Sequence, residues 1–284
     1  MPLDMTNDII ESVPANLDFG VAFENTKVAD KKYVINDVTG EYLGIVGKDF
    51  PGEDHPTFFH KVQTAALENL SADEVQGANI TWKTAKNNAW AMMDLTLPSL
   101  KTTITTPRHE TEVAQRIIAL RAIDGSCSNK VHFGAIDFFC TNGIIHGEHD
   151  MVSKKNSSGF TIDGFIYHFN KAKSDFDDQT AKLQHWADTS LGSFDVKDLL
   201  EKIIASESKA KKMYSLYSQE SSVRGRNVFA LYSAFTNYAT YADERNGFNM
   251  RNTGLDTAAQ TMYEREHEVS KWISTPTFKQ LVAA

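Results

Sequence analysis

The sequence predicts an α+β fold: an antiparallel, hairpin-rich sheet packed with helices, and a helical C-terminal third. Three observations carry this expectation. Two apolar runs, Ile117–Ile123 and Val131–Cys140, flank a polar segment made of Asp124-Gly125-Ser126 and Ser128-Asn129. Asp-Gly between β-prone runs marks a tight turn, because glycine accepts the positive φ that such turns need. Strand-like runs fill the chain up to about residue 170, and from residue 172 the apolar spacing becomes three-and-four. Strands followed by helices, rather than strands alternating with them, separate α+β from α/β.

Taken in order, residues 1–30 are polar, acidic and aperiodic, with Pro14 and Gly20, and are expected as an acidic arm or edge segment. Residues 31–284 are expected as a single domain, β-rich over 31–170 and helical over 172–284. Lys31–Asn36 and Tyr42–Val46 bracket Asp37-Val-Thr-Gly40, which reads as a hairpin. Phe59, Val62, Ala66 and Leu70 share one helical face, with Thr57 as cap. Asn79–Trp82, Ala89–Leu97 and Leu100–Thr106 read as strands, the last two separated by Pro98, which a central strand does not tolerate. Glu110–Gln115 is compatible with a helix start or with a lead into the Ile117 hairpin. Phe160–Phe169 alternates and predicts a strand. Helices are expected around Val196–Ile204 with Asp195 as cap, Asn227–Ala242, Thr257–Trp272, and after Pro276.

The 284-residue chain is long enough for a full core, and its 41% hydrophobic and 23% charged residues are ordinary for a globular protein. No run approaches the roughly eighteen apolar residues of a membrane helix, and the Met1–Asp8 start lacks the pattern of a secretory signal. Cys127 and Cys140 show no CxxC spacing, and read as reduced core thiols or as a pair facing across the hairpin. The net charge is −8, but residues 1–60 hold eleven acids against four lysines, so the rest of the chain is close to neutral. A strongly basic nucleic-acid binder is thereby excluded, whereas a local basic groove is not.

No GxxxxGK[ST], GxGxxG or GxSxG pattern occurs, so nucleotide cofactors and the corresponding catalytic sites are not expected. His146, Glu148, His149 and Asp150, with His132 across the hairpin, supply metal-ligand side chains without helical HExxH or paired CxxC spacing. They read either as a solvated loop or as the centre of a metal-assisted nuclease or hydrolase. Basic groups occur at Arg116 and Arg121, Lys130, Lys154-Lys155, Lys209 with Lys211-Lys212, and Arg224 with Arg226. The last two follow a serine-rich segment and are expected at a helix start, where a cation opposes the macrodipole unless it meets phosphate. Phe138, Phe139, Tyr232, Phe235 and Tyr238 read as core, with base stacking as the other role.

Four segments occur in a specific order: Tyr33–Val46, Asp124-Gly125-Ser126, Cys140-Thr-Asn-Gly143 and Leu231–Tyr238. In this respect residues 30–250 resemble the phage/plasmid-like proteins classed as domain of unknown function nine-three-two. Those relatives often carry Ser-His-Asp-Gly where this chain has Ala122-Ile123-Asp124-Gly125, and an Arg where Asp137 stands. The hairpin core followed by helices is more remotely similar to Rad-fifty-two-type single-strand annealing proteins, by fold-level analogy. The resemblance implies a phage-encoded, single-stranded DNA binding and annealing protein in the host cell cytoplasm. It would act in recombination as a ring or filament homo-oligomer, without catalysis, cofactor or membrane. Its expected phosphate contacts are Lys154, Lys155, Arg224 and Arg226, then Arg116, Arg121 and Lys130. A non-catalytic phage interaction protein is the other alternative.

Overall fold

The structure, a computed structural model, describes residues 12–137, 142–145, 151–154, 162–241 and 258–283. Strands β1 (Val21–Asn25), β2 (Lys31–Asn36) and β3 (Tyr42–Gly47) form an antiparallel three-stranded sheet in that order. Within the segment expected as an arm, β1 is therefore an edge strand, and Leu17 and Phe19 are buried. The β2–β3 hairpin forms where expected, with Gly40 at positive φ in its turn. Helix α1 (His55–Leu67) follows. Its cap is Asp54, whose carboxylate accepts the Thr57 N–H at 2.8 Å, rather than Thr57 itself. Pro56 fits the first turn, where its missing N–H has no intrahelical partner to lose.

The second sheet is antiparallel and six-stranded, built from β4 (Asn79–Ala85), β5 (Trp90–Thr105), β6 (Glu110–Ala122), β7 (Asn129–Asp137), β8 (Asn142–Ile145) and β9 (Met151–Lys154). β4 to β8 are neighbours in sequence order, and β9 pairs with β7 beside β8. The two strands expected around Pro98 are one long strand: the ladder to β6 shifts register between Leu97 and Lys101, so the proline sits in an irregularity where no ladder donor is required. Glu110–Gln115 leads into the central hairpin as part of β6.

Period-two alternation sorts the sheet's side chains into two layers. Ala91, Met93, Leu95, Ile117, Ala119 and Phe133 face α1 and α2 (Ile162–Ser174), packing on Phe58, Phe59, Val62, Phe165 and Phe169. Trp90, Met92, Ile118, Leu120 and Ala122 face α7 (Ala258–Ile273), packing on Ala259 and Met262. Full burial of each such aromatic or aliphatic side chain contributes about 1.5–3 kcal/mol. The strand expected over Phe160–Phe169 is thus corrected to a helix from Ile162 onward, because Phe165 and Phe169 stack one turn apart, 5.8 Å between ring centres, on the sheet. Helices α3 (Phe176–Asp188), α4 (Val196–Ile204), α5 (Glu207–Arg224), α6 (Val228–Thr240) and α8 (Pro276–Val282) share a separate core around Trp186, Leu200, Met213, Phe235 and Phe278.

The two sheets interlock at the tip of the β6–β7 hairpin. A Cβ on Gly44 would lie 2.8 Å from the Asp124 Cβ, and one on Gly125 would lie 2.8 Å from Val46 Cγ1. Gly125 also holds φ +75°, which only glycine adopts without strain. Asp124 anchors the tip by accepting from Trp90 Nε1 at 3.1 Å and from Ser126 N and Oγ at 2.9 and 2.6 Å, with Lys86 3.3 Å away. No helix among the described residues is long and apolar enough to cross a membrane.

Candidate nucleic-acid interface

Three of the basic residues expected at the surface are among the most deeply buried side chains: Arg116, Arg121 and Arg224 retain 2%, 1% and 0% of their exposure. Burying a guanidinium requires partners, and each has them. Arg116 Nη1 lies 3.0 Å from Asp94 on β5, and its Nη2 lies 3.1 Å from Glu266 on α7. Arg121 pairs with the Glu53 carboxylate at 3.4 Å, donates to the Glu53 carbonyl, and lies over the Phe58 ring. Arg224 pairs with Glu220 at 3.4 Å, donates to Ser233 Oγ at 3.2 Å, and lies over Phe229. These three tie layers of the fold together and present nothing to a phosphate. The expected helix-start placement is also corrected for Arg224, which closes the C-terminus of α5, where a cation complements the macrodipole.

Lys130 is half-buried, its ammonium against the Tyr263 hydroxyl and 4.2 Å from that ring's centre, so it serves the contact between β7 and α7. Lys154 closes β9, opposite Asn129 in register. Lys155 and the residues of the metal alternative, His146, Glu148, His149 and Asp150, lie outside the described residues, as do Cys140, Phe138 and Phe139. Among the described residues no group of three or more His, Cys, Asp or Glu side chains is placed to hold a metal. His132 faces α7 beside Arg116 and Lys130; burial holds its pKa down at about 4, so its ring is neutral. Tyr232, Phe235 and Tyr238 are buried in the helical core.

Arg226 alone of the seven is described as exposed, and it leads to a surface cluster. Gly225, at φ +86°, ends α5 and turns the chain so that Arg226 precedes the α6 cap Asn227. The Arg226 carbonyl accepts the Leu191 N–H at 2.8 Å, and its guanidinium donates to the Phe194 carbonyl at 3.3 Å. Tyr217 neighbours Tyr214, ring centres 6.3 Å apart, and Lys197 of α4 sits 4.9 Å over the Tyr214 ring. Lys211 is exposed one turn before Tyr214 on α5, and Arg108 reaches the Ser222 carbonyl at 3.3 Å near the end of the same helix. No carboxylate of the described residues lies within ion-pairing distance of Arg108, Lys197, Lys211 or Arg226. Asp195, next to this cluster in sequence, caps α4 through the N–H groups of Lys197 and Asp198.

The cluster combines four cations with the exposed Phe194 and the half-buried Tyr214. Cations along a surface with interleaved aromatic rings provide phosphate contacts and stacking platforms for an extended single strand. Sequence reading found Arg226, named Lys211 as part of a basic group without a phosphate contact, and missed Arg108, Lys197 and Tyr214. The four cations come from four separate elements or loops, and only the Lys211–Tyr214 spacing within α5 was visible locally.

No curated protein and no solved structure matches this chain. The family described as "Domain of unknown function (DUF932)" matches residues 57–274, about three quarters of the sequence and all of the six-stranded sheet. That span begins later and ends later than residues 30–250, where the resemblance was read, and it leaves the three-stranded sheet outside. The chain belongs to the DUF932 family.

Proposed function

We propose that this protein binds single-stranded DNA and promotes its annealing, as a homo-oligomer and without catalysis, in phage recombination in the host cell cytoplasm. The observation that supports this reading is the group of exposed cations Arg108, Lys197, Lys211 and Arg226 with the half-buried Tyr214, over which Lys197 lies, and the exposed Phe194, with no carboxylate of the described residues within ion-pairing distance of the four. The antiparallel order β4-β5-β6-β7 with helices on both faces is in keeping with the remote Rad-fifty-two-type analogy. Direct phosphate contact is assigned to Arg108, Lys197, Lys211 and Arg226, and base stacking to Tyr214. Arg116, Arg121 and Arg224 support the fold.

Fluorescence anisotropy with a labelled oligo-dT strand, titrated at several salt concentrations, tests the assignment. Four phosphate contacts on a single strand give a slope of log K against log salt of about −3. The double substitution Lys197→Ala with Arg226→Ala halves that slope and weakens binding at low salt by about tenfold or more. Unchanged affinity and slope in the double variant, or no binding by the wild type at low salt, refutes the reading.

A further inference from the structure

Five of the seven exposed large apolar side chains among the described residues, Phe23, Val28, Val38, Tyr42 and Ile45, belong to the three-stranded sheet or its turns. Tyr42 and Ile45 keep 59% and 58% of their exposure. Both stand on the sheet's outer face. Ile45 is the cross-strand partner of Tyr33, the Tyr33 and Tyr42 rings meet edge-on with centres 5.2 Å apart, and the Tyr42 hydroxyl donates to Glu24 at 2.9 Å. The inner face is occupied by the hairpin tip. The segment from residue 18 to 49 exposes Asp18, Glu24, Asp30, Asp37, Glu41 and Asp49 against the exposed Lys27, Lys31 and Lys48, and Glu24 is held at the patch itself by Tyr42. An aromatic surface on an acidic segment, left uncovered by the described residues, fits a contact with an aromatic surface of opposite charge.

The same molecule carries such a surface. The cluster of Arg108, Lys197, Lys211 and Arg226 around Tyr214 and Phe194 is basic and aromatic where the sheet is acidic and aromatic. Two sheet faces meeting each other would set acid against acid, which disfavours a symmetric contact. We propose that the outer face of the three-stranded sheet of one copy docks on the α4–α5–Arg226 surface of the next, a head-to-tail contact that builds rings or filaments. The proposal rests on reading that surface as anion-seeking, and it adds a regulatory consequence: a neighbouring copy and single-stranded DNA compete for the same cations. A heterologous contact of this kind leaves one free face at each end and closes only when the rotation between copies permits.

The test uses the full chain without DNA, by size-exclusion chromatography with light scattering at up to about 100 µM. Two surface double variants are needed, Tyr42→Lys with Ile45→Lys on the sheet and Lys197→Glu with Lys211→Glu on the helices, each checked for unchanged circular dichroism. The wild type is expected to exceed monomer mass at about 50 mM salt and to fall toward it at about 500 mM. Each variant alone is expected to stay monomeric. An equimolar mixture of the two is expected to double in mass and go no further, because the sheet variant keeps an intact helical surface and the helical variant keeps an intact sheet. A wild type that remains monomeric at low salt overturns the proposal, as does assembly that survives in either variant, or a mixture that stays monomeric. DNA binding separates the two readings: assembly without DNA affinity refutes the DNA-binding assignment alone, and DNA affinity without assembly refutes this proposal, and the homo-oligomer with it, while the DNA-binding assignment stands.

Discussion

The pH dependence of stability hinges on Glu266. Its carboxyl is buried where α7 meets the sheet, 3.1 Å from Arg116 Nη2, while Arg116 also pairs with Asp94 at 3.0 Å. One guanidinium thus faces two carboxyls in a largely buried site. Burial is the main cause that pushes the Glu266 pKa up, to about 7; Asp94 adds to the rise and Arg116 opposes it. In the unfolded chain the same group titrates near 4.5. A group whose pKa is raised by folding contributes stability that is fully present below the unfolded value and is lost as pH rises through the folded one. A shift from 4.5 to about 7, at 1.36 kcal/mol per pH unit, corresponds to about 3 kcal/mol lost between pH 4.5 and 8. Glu266→Gln retains a hydrogen-bond acceptor for Arg116 and removes the titration. The stability of the variant minus that of the wild type is therefore expected to rise by about 3 kcal/mol across that range. Urea denaturation of both proteins at a series of pH values measures the difference. A difference that stays constant from pH 5 to 8.5 or so would mean that Glu266 is not the titrating group, and would refute the argument.

Other perturbations separate structural from surface roles. His55 and His132 are both held near pKa 4, chiefly by burial, so their contribution is present above pH 6.5 and is lost as pH falls toward 4; acid titration followed by near-ultraviolet circular dichroism is expected to show the loss in that window. Arg224→Ala leaves Glu220 buried without its cation and is expected to cost about 3–5 kcal/mol in urea denaturation, with the DNA salt slope unchanged. Gly125→Ala forces a Cβ toward Val46 and strains a positive φ, and a loss of about 1–3 kcal/mol is expected in the same assay. Phe59→Ala, at the junction of α1 and the sheet, is expected to cost about 3–5 kcal/mol.

Much of the fold was legible because local rules and tertiary context agree. The Asp124-Gly125 turn, the β2–β3 hairpin and the Asp195 and Asn227 helix starts each follow from a short stretch of sequence. The α2 segment was misread because its apolar residues fit both periods; only the one-turn spacing of Phe165 and Phe169 against Phe133 decides for helix. The buried arginines were misread for a different reason. Arg116 and Arg121 lie within the apolar stretch of β6, a strand flanked by β5 and β7 and covered on both faces, so position alone argued for burial. Their counter-charges, Glu266 and Glu53, stand 150 and 68 residues away and leave no local trace. Surface cations gathered from α4, α5 and two loops are equally invisible to spacing rules, which is why the candidate site retained only Arg226.

The interlock of the two sheets means that the segment shared with the family and the piece of chain that folds are different lengths. A protein started at residue 57 would match the family completely. It would also lose Leu17 from the core under α1, the Glu53 carboxylate and carbonyl that hold Arg121, and the Val46 surface against which Gly125 rests. An arginine left buried without its counter-charge costs about 3–5 kcal/mol by itself, a large share of the stability of any single domain. In this protein the three-stranded sheet acts as a plug for its neighbour, and trimming the chain to the recognisable family boundary would open the core it closes.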